Sequence, residues 1–195
     1  SDPMPASGLT FNGREQILGD SMVLQGGTFG TVTHAFANEH DGTVAISGAG
    51  VIRYTGLEPI TDNLVVANRV FTFTSPIADG VLQTSPASPA THTRIDSAAG
   101  ELVDFTTPSG SLAVNLANGA NTFTVASLAE NYLAPANTIA GGSGADTSMV
   151  PPRGWGTTIR RARRCSLFWM PPGSSQFSIL KYFGSPTIGL PICAM

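Results

Sequence analysis

The sequence predicts an all-β protein, an antiparallel β-sandwich or jelly roll with at most one or two short helices. Three observations lead to this prediction. Roughly nine or ten short runs have strand character. Turn residues recur between them, with 22 Gly and 14 Pro in the chain. Helical periodicity is scarce. A hydrophobic content of 42% excludes wholesale disorder.

Charge divides the chain into two parts. Residues 1–150 contain four Arg and all thirteen acidic residues, whereas residues 151–195 contain five Arg, one Lys and no acid. We predict an acidic body, residues 1–145, and a basic, aromatic C-terminal segment, residues 146–195, packed on the body or on a neighbouring subunit. Only 12% of all residues are charged, about half the usual fraction. Such a neutral, Thr-rich surface suits a β protein that lies beside copies of itself.

The first half of the acidic body is predicted to consist of strands. Residues 31–36 alternate, with His34 and Phe36 on one face, and residues 43–47 follow as a second strand. Their apolar faces match only if the connection is longer than a two-residue Asp41-Gly42 turn.

Further strands are predicted at residues 51–55 and 64–74. The longer one is apolar on both faces, which indicates a central strand covered on both sides. Residues 83–93, rich in Ser and Pro, are predicted to form an exposed loop. We detect no internal repeat.

The most specific local prediction is a hairpin over residues 111–126 with its turn at Asn118-Gly119. Asn and Gly tolerate the positive φ angles of a type I′ turn. The same turn would place Val114 opposite Phe123 on one side of the ribbon. Turn chemistry and hydrophobic register therefore agree.

Three shorter features follow the predicted hairpin. Ser127 and Glu130 have the spacing of a capping box, which predicts one or two helical turns before Pro135. The Gly-rich residues 138–146 are predicted to be a connector. Residues 176–183 are predicted to be a strand.

No residue pattern supports catalysis, and we predict neither catalytic residues nor a cofactor. Gly19-Asp20-Ser21-Met22 resembles the first block of GDSL-type esterases, but that family also needs an Asp-x-x-His pair whose histidine activates the serine, and none of the three histidines here has Asp three residues earlier. His34, His40 and the neighbouring acids lack a standard metal-ligand spacing, so no metal is predicted. We interpret His34, His40 and His92 as pH-sensitive contacts, because the charge of histidine changes near neutrality.

Cysteine positions and hydropathy give expectations for disulfide formation and for membrane insertion. Cys165 and Cys193 both lie in the C-terminal segment, and reduced thiols are favoured over a disulfide in so long a chain. There is no run of eighteen apolar residues, so no membrane insertion is predicted.

The strongest electrostatic feature is an Arg cluster in the C-terminal segment, formed by Arg160, Arg161, Arg163 and Arg164 and flanked by Trp155 and Trp169. Guanidinium groups suit phosphates and tryptophan stacks on bases, which is one interpretation. The other is an interface with an acidic protein surface. Because the chain is acidic overall, we favour the protein interface over RNA.

A neutral, Gly-, Pro- and Thr-rich β domain with Ser-Pro loops and an Arg-rich C-terminal segment resembles the protruding domains of nodavirus-like and tetravirus-like coat proteins. The resemblance covers residues 8–195 and lies in composition and architecture. It implies a non-enzymatic capsid surface domain on the virion that contacts symmetry mates and a host receptor or glycan. The alternative is a non-viral adhesin or carbohydrate-binding module, although the acidic body lacks the Trp that such sites often expose.

Overall fold

The computed structural model describes most of the chain, and its last three strands by their backbone alone: residues 5, 7–13, 19–76, 78–133, 136–149, 157–160, 164–169 and 178–181. All regular structure in these residues is β-strand, and none of it is helix. The strands form two sheets, called sheet A and sheet B, which pack against one another through a shared hydrophobic core. The predicted all-β, two-sheet class with little helix is therefore confirmed.

Sheet A has eight strands. In spatial order they are β1 (Leu9–Asn12), β5 (Gly50–Thr55), β4 (Gly42–Ile46), β3 (Thr28–Phe36), β7 (Val65–Phe73), β11 (Ser111–Asn115), β13 (Ala136–Ala140) and β15 (Thr157–Arg160).

Sheet B has nine strands. In spatial order they are β2 (Asp20–Leu24), β6 (Leu57–Asp62), β10 (Gly100–Thr106), β9 (His92–Ser97), β8 (Gly80–Thr84), β12 (Thr122–Val125), β14 (Ala145–Met149), β16 (Arg164–Trp169) and β17 (Ser178–Lys181).

The two strand orders match along the stack. Only Gly56 separates β5 in sheet A from β6 in sheet B, and both strands hold the second place in their sheets. The pairs β1 and β2, β7 and β8, and β11 and β12 likewise follow one another in the chain and hold matching places. We call such a pair a rung. The first rung, β1 with β2, lies at one end of the stack.

The predicted antiparallel arrangement of the strands is wrong. Ten of the fifteen described ladders are parallel. The antiparallel ones include the runs β3–β4–β5 and β8–β9–β10. The chain winds repeatedly from one sheet to the other and back, and each such circuit is called a coil here. Successive strands of a sheet therefore point the same way, which is not the connectivity of a jelly roll. Alternating hydrophobicity reports that one face is buried; it does not report the direction of the neighbouring strand.

A structural repeat accompanies the coiling. Residues 57–84 and 100–127 stack on each other, with Ile60 beside Val103 and Gly80 beside Phe123 in the ladders. Side chains 43 positions apart hydrogen bond, as Ser111 does to Asn68. Two coils can stack when their backbones follow the same path and the same positions point inward. Their residues do not have to be identical. The repeat was therefore missed in the sequence.

The predicted hairpin over residues 111–126 is wrong. Strand β11 pairs with β7 and β13 in sheet A, and β12 pairs with β8 and β14 in sheet B. Asn118-Gly119 therefore turns the chain from one sheet to the other. A Cβ at Gly119 would overlap the carbonyl oxygen of Pro76 in the neighbouring coil. Close approach between coils, rather than a type I′ turn, explains this glycine.

Two other local expectations have mixed outcomes. The predicted helical turns after Ser127 are absent from this described stretch, because Ser127 Oγ accepts a hydrogen bond from Thr84 N at 2.9 Å instead of capping a helix. Strands β3 and β4 do pair through a loop longer than two residues, as predicted, but the expected register of Phe36 with Val44 is wrong: Phe36 lies beside Gly42, and His34 lies beside Val44. Residues 92–106, where β9 and β10 lie, were not predicted as strands.

Asn121 joins three successive coils. Its Oδ1 accepts from Ala78 N at 2.7 Å, and its Nδ2 donates to Ala117 O at 2.9 Å and to Asp146 Oδ1 at 2.8 Å. The side chain is buried. Since each of these partners is a backbone group or a buried carboxylate, a single amide holds the turn between the sheets.

We expect Asn121→Ala to lower the free energy of unfolding by about 2–4 kcal/mol, because several buried polar groups lose their partner. The matched control is Asn115→Ala, whose amide makes one long bond of 3.4 Å to Thr72 and should change stability by less than about 1 kcal/mol. Urea unfolding measures both variants. Equal losses would show that Asn121 does not hold the coils.

Candidate functional site

A buried charge network lies at the centre of the core, formed by His34, Asp62 and Arg69, whose side chains are all 0% exposed. His34 Nε2 lies 2.8 Å from Asp62 Oδ2, and Arg69 Nη1 donates to the same oxygen. Asp62 Oδ1 accepts from Leu64 N at 3.0 Å. Arg69 Nη2 donates to Leu64 O at 3.1 Å and to Thr106 Oγ1 at 3.3 Å. The carboxylate is thus shared by an imidazole, a guanidinium and a backbone amide.

The coiling of the chain brings these three residues together. His34 is an inward residue of β3, Asp62 ends β6, and Arg69 lies in β7, which pairs with β3. Aromatic rings enclose the network: the His34 and Phe71 rings stack at 5.1 Å, and the Arg69 guanidinium lies 5.4 Å from the centre of the Phe105 ring. A ring face favours a nearby cation.

The network is electrically balanced. Burial lowers the pKa of His34 despite its hydrogen bond to Asp62. Burial opposes ionisation of Asp62, but the His34 hydrogen bond and the Arg69 charge outweigh it and hold the pKa of that carboxyl below its ordinary value. A neutral imidazole must donate its Nε2 hydrogen, because a carboxylate only accepts. One negative and one positive charge therefore remain, and they cancel.

The geometry gives this network a structural role. A His–Asp pair is part of a hydrolytic triad, but His34 Nδ1 has no partner to activate. With no exposed surface on any of the three side chains, a substrate has no access to them. We therefore interpret the network as a buried polar contact that holds the two sheets together, and we call it the clasp.

A second cluster, the acidic end cluster, lies near the first rung and consists of Glu39, His40, Asp41, Glu58 and Glu101. His40 Nδ1 lies 2.7 Å from Glu58 Oε1, and both side chains are exposed. Asp41 accepts from Asn38 Nδ2 and from Gly56 N, which together lower the pKa of that carboxyl. The cluster thus ties the loop between β3 and β4 to the turn between β5 and β6.

Glu101 is the buried member of the acidic end cluster. It is 1% exposed; its Oε1 accepts from Leu102 N at 3.0 Å, and its Oε2 has no partner. Burial, with a smaller contribution from Glu58 and Glu39, raises the pKa of this carboxyl to about 8. Glu101 is therefore largely protonated at neutral pH.

The outer face of sheet A forms a third feature, the neutral face, which crosses β4, β3, β7, β11 and β13. Ladder partners share a face, and these outward side chains are small and uncharged. They are Thr31, Thr33, Ala35, Thr43, Ala45, Asn68, Val70, Thr72, Ser111, Ala113, Asn115, Thr138 and Ala140. Solvated sheet faces usually carry Lys and Glu, and the outer face of sheet B has the ion pair Arg94–Asp104. The neutral face therefore shares with the cores of interfaces their depletion of charged residues.

The structure separates the three predicted pH-sensitive histidines. His34 lies in the core, His40 is exposed beside Glu58, and His92 Nε2 lies 2.6 Å from Asn63 Oδ1. Their role as pH-sensitive contacts stays a prediction.

The predicted Arg cluster is described only in part. Arg160 lies in β15, and Arg164, Cys165 and Trp169 lie in β16; of these the backbone is described. Trp155, Arg161, Arg163 and Cys193 lie outside the described residues. Strand β15 pairs with β13, and β16 with β14, so these strands extend both sheets. The division into two parts at residues 145 and 146 stays a prediction.

The absence of catalytic activity stays a prediction. Ser21 is exposed in β2, and the best-defined depressions are shallow; one lies on the neutral face and the other beside Asp41, Arg53 and Tyr54. Among the residues with described side chains, no group of three or more His, Cys, Asp or Glu is arranged to bind a metal ion. No helix in the described ranges is long and apolar enough to cross a membrane.

These features define a class: an all-β protein of two packed sheets, coiled mainly in parallel and held by buried polar contacts. No protein family, curated protein or solved structure matches the chain significantly.

The sequence analysis missed Asp62, Arg69, Glu101 and Asn121. The burial of Arg69 was predictable, because alternation places it on the same face of β7 as Phe71 and Phe73, which are buried. A charged residue at an inward strand position indicates a buried partner. The partner itself, Asp62, is identifiable only from the path of the chain.

Proposed function

We propose that this chain is a non-enzymatic structural module of a self-assembling surface, which acts by contacting copies of itself and a host surface. The neutral face supports this proposal most directly. Five adjacent strands present small, uncharged side chains on one face of sheet A, which a second copy can cover without burying an unpaired charge.

The rigidity of the fold supports the same function. Neighbouring coils are joined by side-chain contacts, among them Asn121 with Asp146, and the clasp of His34, Asp62 and Arg69 joins the two sheets. A scaffold held in this way presents a surface of fixed shape, so binding requires little ordering of the module.

The resemblance to coat-protein protruding domains makes a virion surface the setting that we propose. Its architectural basis is weakened, because the ladders are mainly parallel. The part of the resemblance that rests on composition, a neutral Gly-, Pro- and Thr-rich chain with an Arg-rich C-terminal segment, is unchanged. RNA stays the less favoured partner.

A second candidate function is an adhesin. The specific observation that favours it is the coiled, rung-by-rung stack, since such repetitive folds extend in one dimension and present long binding surfaces. An adhesin would bind its receptor without requiring contacts between copies. The presence or absence of self-association therefore separates the two candidates.

Ala113→Arg should test the neutral face. Ala113 lies at its centre, between Val70 and Thr138 in the ladders. We expect self-association of the chain, measured by sedimentation velocity, to weaken by about tenfold or more, because the substitution buries an unpaired charge. The matched control is Gln83→Arg in β8 of sheet B, which should leave association unchanged. Association that resists Ala113→Arg would remove the neutral face as the contact surface.

A further inference from the structure

The first rung leaves two strand edges open. Within the described residues, β1 pairs only with β5, and β2 pairs only with β6. Gly13 N donates to Thr55 O, and Leu24 O accepts from Asn63 N. Because backbone groups alternate in direction along a strand, those of Asn12 and Val23 face away from the sheets.

The open edges carry only part of the usual protection against pairing. Strand β1 reads Leu-Thr-Phe-Asn, without charge or Pro, whereas β2 reads Asp-Ser-Met-Val-Leu and has one charge, Asp20, and a register shift between Asp20 and Met22. Leu9 is 48% exposed and Val23 is 56% exposed. Together they are two of the four large exposed hydrophobic residues among those described. Natural sheets normally protect such edges with charge, proline or a covering segment.

The two ends of the stack have opposite charge. The acidic end cluster lies near the first rung, where the exposed carboxylates of Glu39 and Glu58 outnumber one cation, Arg53, which lies beside Thr10 of β1. At the far end of the described sheets, the last strands are β15, which ends in Arg160, and β17, which ends in Lys181. The far end therefore complements the first rung in charge, and both ends are strand edges.

We infer that the first rung docks the far end of a second copy, so that β2 of one copy lies beside β17 of the next and sheet B continues between them. This inference rests on the proposed self-assembly and adds the place and direction of one contact. Because two different surfaces meet, the contact is head-to-tail and leaves a free end on each pair. Association should therefore continue beyond dimers as concentration rises, and added salt should weaken it.

The test uses one substitution at two places in the fold. In Val23→Lys the lysine lies on the open edge of β2; in Val65→Lys it lies on β7, a central strand, where Val65 is similarly exposed at 61%. Sedimentation velocity of the full chain should show association about tenfold weaker in Val23→Lys, because a charged edge resists strand pairing. Val65→Lys should associate like wild type.

A complementation experiment then tests the direction of the contact. The far-end variant Arg160→Glu/Lys181→Glu should fail to extend, as Val23→Lys does. When both variants also carry Ala113→Arg, which removes the neutral-face contact, their mixture retains one unaltered pair of surfaces, so we expect heterodimers and nothing larger.

Three outcomes would contradict the inference. Association that resists Val23→Lys, or that weakens equally in Val65→Lys, overturns the docking inference and leaves the proposed function standing. A wild-type chain that stays monomeric at all concentrations overturns the proposed self-assembly, and the docking inference with it. A mixture that forms no heterodimer overturns the head-to-tail direction.

Discussion

Asp62→Asn should lower the free energy of unfolding by about 3–5 kcal/mol, because Arg69 would remain charged in the core without a counter-ion. The substitution keeps the shape of the side chain, so little of the loss comes from packing. Urea unfolding followed by circular dichroism measures the loss. The slope of the transition should stay unchanged, because the same surface becomes exposed on unfolding.

The chain contains a matched control for this prediction. Asp104 accepts two hydrogen bonds from Arg94, at 2.8 and 2.7 Å, on the outer face of sheet B. Asp104→Asn should cost only about 1 kcal/mol, since Arg94 keeps access to water. Replacing both charges, in Asp62→Leu/Arg69→Leu, should give a protein more stable than Asp62→Asn alone. A similar loss in Asp62→Asn and Asp104→Asn would contradict the interpretation of Asp62 as the anion of the clasp.

The stability of the wild-type chain should fall as the pH rises from 6.5 to 9, because of Glu101. Its pKa is raised in the folded state from 4.5 to about 8. The folded state therefore holds a proton that the unfolded state has released, and a higher pH favours the unfolded state. Over this interval the loss amounts to about 2 kcal/mol, at about 1.4 kcal/mol for each pH unit below the folded pKa.

His34 does not interfere in that interval. Its pKa is lowered from 6.5 in the folded state, so its contribution to stability is lost only as the pH falls below 6.5. In Glu101→Gln the fall between pH 6.5 and 9 should shrink by about 2 kcal/mol. The control Glu130→Gln alters an exposed carboxyl and should keep the wild-type slope. A slope that persists in Glu101→Gln would show that this carboxyl ionises freely.

Local patterns in the sequence predicted which strand positions point inward. Val32, His34 and Phe36 share the buried face of β3, as their alternation indicates, and the loop after Phe36 is longer than two residues. Alternation responds to the burial of one face and requires no knowledge of neighbouring strands. The all-β class was predictable for that reason.

Strand partners were not predictable in the same way. Asn118-Gly119 and its flanking apolar residues satisfy every local rule for a hairpin, yet the two strands lie in different sheets. The close approach of Pro76 to Gly119, and the bonds of Asn121 to Ala78 and Asp146, come from coils distant in sequence. Local turn rules do not include such contacts.

The sequence by itself determined composition, the separation of charge along the chain and the inward face of most of its strands. Only the tertiary structure placed His34, Asp62 and Arg69 in one network and buried Glu101 near Glu58. It alone left β1 and β2 as open edges among the described strands. The physical reason is that burial patterns are local, whereas charge pairing and edge exposure depend on which coil stacks on which.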